Sequence, residues 1–282
     1  MSDTIAVIAP GEMGSAVGRR LAEHGTRIIT SLAGRSPGSI ARAERAGFTA
    51  MASVDELAAA ADIILSIVPP GEAVGLAEQW APVLARAARK PLYVDCNAVS
   101  PATAARIGGV LASTGAAYVD AAIIGPPPSA SSRTVFYASG DAAPKLERLN
   151  RLGLVLRVLD APIGAAAALK MAYAGITKGL TGLGAAMMLG ATRSGIDAAL
   201  AQELAESQPQ LLAWLARQVP SMYPKAYRWV AEMEEIAAFA AADPAAAQIY
   251  QGLARLYQRL ATAAAEGERT QLSDFCKKAG PR

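Results

Sequence analysis

Lys170 lies in a stretch with little reason to carry a lysine. The run Gly164-Ala165-Ala166-Ala167-Ala168-Leu169-Lys170-Met171 opens a long apolar segment that reaches Gly190. At about 100° per residue, Lys170, Tyr173, Thr177 and Thr181 fall on one narrow helical stripe, and Ala172, Gly175, Gly179, Gly182, Ala186 and Gly190 fall on the opposite side. So small a face permits close packing, which makes this helix central to its domain. Its polar stripe must then face water or a partner. An amine partly desolvated in a cleft loses basicity and can move a proton near neutral pH. The structural alternative is a lysine that snorkels from a helix start. Lys170 and Lys178 inside the segment argue against a membrane span.

A second constellation opens the chain. Thr4 to Ile8 reads as a strand, Ala9-Pro10-Gly11-Glu12-Met13-Gly14 as a sharp turn, and 15–24 as a helix. Gly11 lets backbone approach a pyrophosphate, Gly14 lets helix pack on strand, and the first-turn amides face the anion. Pro10, Gly11, Glu12, Met13 and Gly14 are thus candidate dinucleotide-binding residues. Ala9 replaces the first glycine of G-x-G-x-x-G, so the strand–turn–helix context separates this reading from an ordinary glycine turn. A site for NAD needs a carboxylate near the end of the second strand. None occurs between His24 and Ala43; that strand runs instead into Gly34-Arg35-Ser36. Arg35 can stack on adenine and pair with a ribose phosphate, Ser36 can add a hydroxyl, and Arg42 can reach from the next helix. NADP(H) is therefore expected rather than NAD, the alternative being a solvated loop arginine. Val68 and Pro69, at the end of the strand 63–68, join the cofactor candidates.

The elements that must position these residues alternate up to about residue 160. Strands are expected at 5–8, 27–32, 63–68, 92–95, 118–123, 134–138 and 155–159, and helices at 15–24, 39–46, 54–60, 72–88, 101–113 and 143–152. That alternation predicts an α/β chain with a Rossmann-type doubly wound, mostly parallel sheet. After Gly164 only helical runs follow, broken at Gly195, Pro209, Pro220, Pro224, Pro244 and Gly267. The expected organisation is a dinucleotide-binding domain, 1–161, and an all-α C-terminal domain for substrate and dimerisation, 162–282.

The bulk composition narrows the function. The chain has 282 residues, 52% of them hydrophobic, and a net charge of only +3 with no aromatic–basic stripe, so nucleic acid is not an expected partner. Its start lacks a basic n-region followed by an apolar h-region. Cys96 and Cys276 form no metal or redox spacing, consistent with a reduced, cytoplasmic protein. The single histidine, His24, ends the first helix beside Gly25, which removes histidine triads and histidine zinc sites.

Four segments in order resemble the β-hydroxyacid dehydrogenase family, that of 3-hydroxyisobutyrate and 6-phosphogluconate dehydrogenases. Pro10-Gly11-Glu12-Met13-Gly14 is similar to its cofactor turn. Val94-Asp95-Cys96-Asn97-Ala98-Val99-Ser100-Pro101 is similar to its D-x-S-T-x-x-P segment near nicotinamide. Val119-Asp120-Ala121-Ala122-Ile123-Ile124-Gly125-Pro126 is similar to D-A-P-V-S-G-G, and Gly164 with Lys170 to G-x-G-x-x-x-K-x-x-N. The resemblance implies Lys170 as catalytic acid/base. Around it, Asn97 and Tyr173 are expected to orient the substrate or polarise its oxygen, and the backbone of Ile124, Gly125 and Pro126, with Thr177, to line the substrate.

The departures bear on the substrate. Asn97 and Ala98 replace Ser and Thr, and Ile124 replaces a Ser that helps hold a substrate carboxylate. Tyr173 replaces Asn, and Thr177 stands where the decarboxylating branch has Glu. Neither 6-phosphogluconate nor decarboxylation is expected. Lys170-Met171-Ala172-Tyr173 through Lys178-Gly179 is similar to a branch with K-M-x-Y-x-x-x-x-K-G. Where the family has a K-D-L segment, Glu232 and Glu235 share a face. They read as a solvated acidic face with Arg228 near Glu232, or as contacts to a basic substrate. The expected function is NADPH-dependent hydride transfer at a carbonyl or hydroxyl carbon. Imine reduction and a nonenzymatic NADPH-binding regulator are the alternatives. A homodimer is expected through the Gly175/Gly179/Gly182 side and the Ala-rich helices after Ala198. The segment 232–239 or the tail near 274–278 would then close the partner's site.

Overall fold

A computed structural model describes residues 3–278 of the chain. It divides into two compact units, one reaching to Met171 and one starting at Ala172. The first is built on eight strands: β1 (Thr4–Ile8), β2 (Arg27–Thr30), β3 (Thr49–Ala50), β4 (Ile63–Ser66), β5 (Leu92–Asp95), β6 (Tyr118–Ile124), β7 (Val135–Ser139) and β8 (Leu156–Val158). They form one sheet in the order β3-β2-β1-β4-β5-β6-β7-β8. Alternate residues of the central strands enter separate cores on the two faces, Ile5, Val7 and Leu65 on one, Ala6, Ile8 and Ile64 on the other. Burial on both faces explains why these strands read as continuous apolar runs.

The helices α1 (Glu12–Ala22), α2 (Pro37–Arg45), α3 (Val54–Ala60), α4 (Ala73–Arg86) and α5 (Pro101–Leu111) cover the sheet. Ser36, Ser53 and Ser100 cap α2, α3 and α5 by accepting from the amides of Ser39, Glu56 and Thr103. Each such cap contributes about 1 kcal/mol. Four details differ from the sequence expectation. Helix α1 starts at Glu12, three residues before the expected Ser15, because Gly11 is already its N-cap. The two-residue edge strand β3 has too few apolar residues to signal itself. Residues 143–152 wind as a 3-10 helix rather than an α-helix. Strand β7 runs antiparallel to β6, because the link between them is a hairpin loop too short for a crossover.

The second unit is all helix. Helix α6 (Ala165–Arg193) starts in the first unit and continues into it, followed by α7 (Asp197–Ser207), α8 (Pro209–Met222), α9 (Ala226–Phe239), α10 (Pro244–Leu260) and α11 (Glu266–Lys278). Pro220 lies inside α8 and does not break it. The small face of α6 is spent within the unit. A Cβ at Gly175 would meet Tyr250 Oη at 2.9 Å, and one at Gly182 would meet Leu253 Cδ2 at 2.6 Å. This corrects the expectation that the Gly175/Gly179/Gly182 side faces a partner subunit. The exposed side of α6 instead carries Tyr173, Ile176, Leu180, Leu183 and Met187, spaced alternately three and four residues apart.

Glu232 is corrected as well. It forms an ion pair with Lys178, whose ammonium also lies 5.1 Å from the centre of the Trp229 ring. Both charged side chains are largely buried, so Glu232 belongs to no solvated acidic face.

Candidate active site

The order of the first six strands reverses direction between β1 and β4, and the crevice outside the carboxyl ends of such a pair receives the ligand in this fold class. The β1 turn lies there. Ala9 holds φ +65°, the left-handed conformation that a glycine would adopt freely and that costs an alanine about 1 kcal/mol. A Cβ on Gly14 would lie 2.5 Å from the Ala9 carbonyl oxygen and 3.3 Å from Val7, so the helix could not sit this close to the strand with any larger residue. Over Gly11 there is open space within 4 Å. One glycine is needed for packing and the other leaves an empty cradle at a helix N-terminus. That arrangement fits a dinucleotide pyrophosphate. Pro10 lies between Ala9 and Gly11, Glu12 is exposed in the first turn of α1, and Met13 packs on the core, so its contribution is its backbone.

The end of β2 supplies the second part. Arg35 and Ser36 are exposed, and Ser36 Oγ also holds the amide of Ser39 at 3.3 Å. Arg42 Nε donates to the Pro10 carbonyl at 3.2 Å, and its Nη2 donates to Ser39 Oγ at 3.0 Å. This guanidinium joins the glycine turn to the β2 loop.

Beyond β4 and β5, the Asn97 side chain is buried and fully used. Its Oδ1 accepts from the Val68 amide at 2.6 Å, and its Nδ2 donates to Ser66 Oγ at 2.9 Å and to Asp95 Oδ1. Asn97 thus fixes the backbone entering Pro69, an exposed residue that leads into a short 3-10 turn.

Lys170 completes the first unit. It sits in the second turn of α6, and its ammonium donates to the Ile123 carbonyl at 2.6 Å at the end of β6. Burial pushes its pKa down from 10.5 to about 8, because the charged form loses solvation. Strand β6 ends at the partly buried Ile124 and is followed by Gly125 at φ +131° and Pro126, both exposed. A Cβ on Gly125 would meet Thr134 Cα at 2.9 Å, and Thr134 Oγ1 donates to the Pro126 carbonyl at 2.5 Å.

The remaining candidates lie in the helical unit. Tyr173 is half exposed on α6. The hydroxyls of Thr177 and Thr181 turn back to carbonyls of their own helix, those of Tyr173 and Thr177, at 3.0 and 2.9 Å. Glu235 is partly buried on α9, beside Glu234 and one turn from Glu232.

Two residues without an assigned role at the sequence level stand out. Asp120 Oδ2 accepts from Ser139 Oγ at 3.0 Å, from the Gly164 amide at 3.0 Å and from the Ala167 amide at 3.1 Å. Ser139 Oγ accepts from the Ala166 amide at 3.1 Å. The available signal for Asp120 was a lone carboxylate inside an apolar strand, a residue type almost never buried without partners.

Comparison with known proteins gives this arrangement a family. The NAD-binding domain of 6-phosphogluconate dehydrogenase matches residues 4–153, and a domain of unknown function (DUF1932) matches residues 191–260. The chain belongs to the β-hydroxyacid dehydrogenase family. Members of the β-hydroxyacid dehydrogenase family are oxidoreductases that act on CH–OH groups with a nicotinamide dinucleotide.

An uncharacterised 28.5 kDa protein of Methanothermus fervidus is 28% identical over 179 residues, 64% of this chain and 67% of that protein. A 3-hydroxyisobutyrate dehydrogenase of Pseudomonas aeruginosa is 27% identical over 157 residues, 52% of this chain and only 51% of that protein. Among solved structures, a conserved protein of unknown function, described as similar to 3-hydroxyacid dehydrogenases, superposes with a TM-score of 0.71. It is 28% identical and the match covers 95% of this chain and 99% of that one. The fold alone extends to an imine reductase from Bacillus cereus, at 16% identity and a TM-score of 0.57 over 91% of this chain and 93% of that one. No helix among the described residues is long and apolar enough to cross a membrane.

Proposed function

We propose that the chain is an NADPH-dependent oxidoreductase in which Lys170 is the general acid/base. The observation that carries this reading is the Lys170 ammonium, 2.6 Å from the Ile123 carbonyl at the carboxyl edge of the sheet and with its pKa lowered to about 8. A general acid/base works best when its pKa lies near the working pH. At pH 7 such an amine is about one-tenth neutral, so both forms are at hand.

When bound, the nicotinamide supplies or accepts the hydride; the chain supplies the proton. In reduction, the Lys170 ammonium donates a proton to the carbonyl oxygen as the carbon becomes a carbinol. In oxidation, the neutral amine takes the hydroxyl proton. One of its three ammonium hydrogens is committed to Ile123, which orients the others. Pro10 to Gly14 hold the pyrophosphate through backbone. Arg35, with Ser36 and Arg42, takes the ribose phosphate, since β2 ends without a carboxylate. Asn97 acts by holding Val68 and Pro69 in place. Tyr173, Thr177 and Glu235 belong to the substrate side, and the chain works as a homodimer in the cytoplasm.

Imine reduction is the second reading. Ile124 at the end of β6, in place of a hydroxyl, suits a substrate without a carboxylate, and an imine nitrogen can take the same proton from Lys170. Turnover of NADPH and NADH with a panel of ketoacids, aldehydes and cyclic imines tests both readings. Arg35→Asp should weaken NADPH binding at least tenfold and leave NADH within about twofold. Equal dissociation constants for the two cofactors in the unaltered protein would overturn the NADP assignment, and NADPH binding without turnover of any of the three classes would leave a regulator.

A further inference from the structure

Helix α6 carries Lys170 in its second turn. Its amino end is held from the sheet. Asp120, 1% exposed in the middle of β6, accepts from the Gly164 and Ala167 amides through one carboxylate oxygen. Ser139, fully buried on β7, sits opposite Asp120 in the antiparallel register. Its hydroxyl donates to that same oxygen and accepts from the Ala166 amide. Three of the amides that a helix start leaves unpaired are therefore met by two side chains of adjacent strands. Gly164 takes φ +98°, and a Cβ there would press on Pro101 at 3.3 Å, so the chain enters the helix along a single path.

The geometry recurs one step further on. Ile123 is three residues past Asp120 on β6, and Lys170 is three residues past Ala167 on α6. Their contact is the 2.6 Å bond from Nζ to the carbonyl. Strand and helix are thus tied twice, first by the carboxylate and then by the lysine.

We propose that Asp120 and Ser139 form a positioning clamp that sets the depth of Lys170, and so the desolvation of its amine, while touching neither substrate nor cofactor. The inference rests on Lys170 being the acid/base. The groups that feel the Asp120 charge, Cys96 beyond β5 and Tyr118 on β6, are both pushed upward by burial and by Asp95 and Asp120, so both remain neutral through the working range. Burial raises the Asp120 carboxyl itself, against the opposing pull of its hydrogen bonds. Lys170 owes its lowered basicity to burial alone, so the clamp acts on it through position rather than through charge.

The test is the pH dependence of Lys170 acylation by trace acetic anhydride, read by mass spectrometry of the peptide, in the unaltered protein and in Ser139→Ala, Ser139→Thr and Asp120→Asn. This readout needs no turnover, so it stands or falls apart from the catalytic assignment. The unaltered protein should give a midpoint of about 8. Ser139→Ala should raise it by about one pH unit and lower kcat ten- to hundredfold, with NADPH affinity unchanged, since small displacements of a reacting group are costly. Ser139→Thr, which keeps the hydroxyl, should restore both values, and Asp120→Asn should resemble Ser139→Ala or exceed it. A Ser139→Ala protein with a lowered Tm but an unmoved midpoint would overturn the proposal, because Ser139 would then be only a helix cap. If Asp120→Asn does not fold, the alanine and threonine pair decides alone.

Discussion

Replacing Lys170 by Met should remove catalysis and stabilise the fold at the same time. Holding the amine at about 8 instead of 10.5 disfavours its charged form. Each tenfold change in proton affinity is worth about 1.4 kcal/mol, so below pH 8 the protonated lysine costs the native state about 3 kcal/mol. Methionine has nearly the same length and carries no charge. Its gain is offset by about 1 kcal/mol for the hydrogen bond lost at Ile123. The partial exposure of Lys170 reduces it further, leaving a net stabilisation of about 1–2 kcal/mol.

The sign with pH follows from the direction of the shift. Between about 8 and 10.5 the unfolded chain binds more protons at this position than the native one, so the unaltered protein gains stability as pH rises. The advantage of Lys170→Met should therefore be full at pH 7, shrink through that window and vanish above it. Urea unfolding at pH 7, 9 and 10.5 measures this, and kcat should fall by about 10²–10⁴ in parallel. A variant that is less stable than the unaltered protein at pH 7 would refute the idea that Lys170 is held in place against its own solvation. One with near-normal kcat would refute its role in proton transfer.

The same lowered pKa sets the pH profile. Reductive kcat should fall as pH rises through about 8 while oxidative kcat rises, and initial rates in both directions from pH 6 to 10 check this. The two turn glycines should separate by phenotype. Gly14→Ala should lose about 1–3 kcal/mol of stability because its Cβ meets the Ala9 carbonyl. Gly11→Ala should keep its Tm and lose cofactor affinity, both visible in thermal shifts with and without NADPH. Ala9→Gly should add about 1 kcal/mol by relieving the left-handed alanine, as denaturant titration would report. If the exposed seam of α6 is the homodimer contact, Leu180→Glu with Leu183→Glu should convert the assembly to 29.0 kDa monomers in light scattering. A species of unchanged size would place the interface elsewhere.

Local pattern sufficed for much of this protein. Apolar runs separated by capped helices made the sheet legible, because a parallel sheet buried on both faces leaves an uninterrupted signature. Gly11 and Gly14 were readable because tight turns and close packing admit few other residues, and Lys170 because a charge among alanines has few structural reasons. Other features depend on residues far apart in the chain. Whether Glu232 faced water or a partner depended on Lys178, which α9 meets only in the folded bundle. Which side of α6 stayed exposed depended on where Tyr250, Leu253 and Tyr257 of α10 came to lie, since glycines pair with whichever large side chain reaches them. Asp120 and Ser139 acquired meaning only when β6 and β7 paired and brought α6 to rest on them. Periodicity reports the face a residue occupies on its own element, whereas its hydrogen-bond partner and depth of burial are set by long-range packing, and these decide the basicity of Lys170.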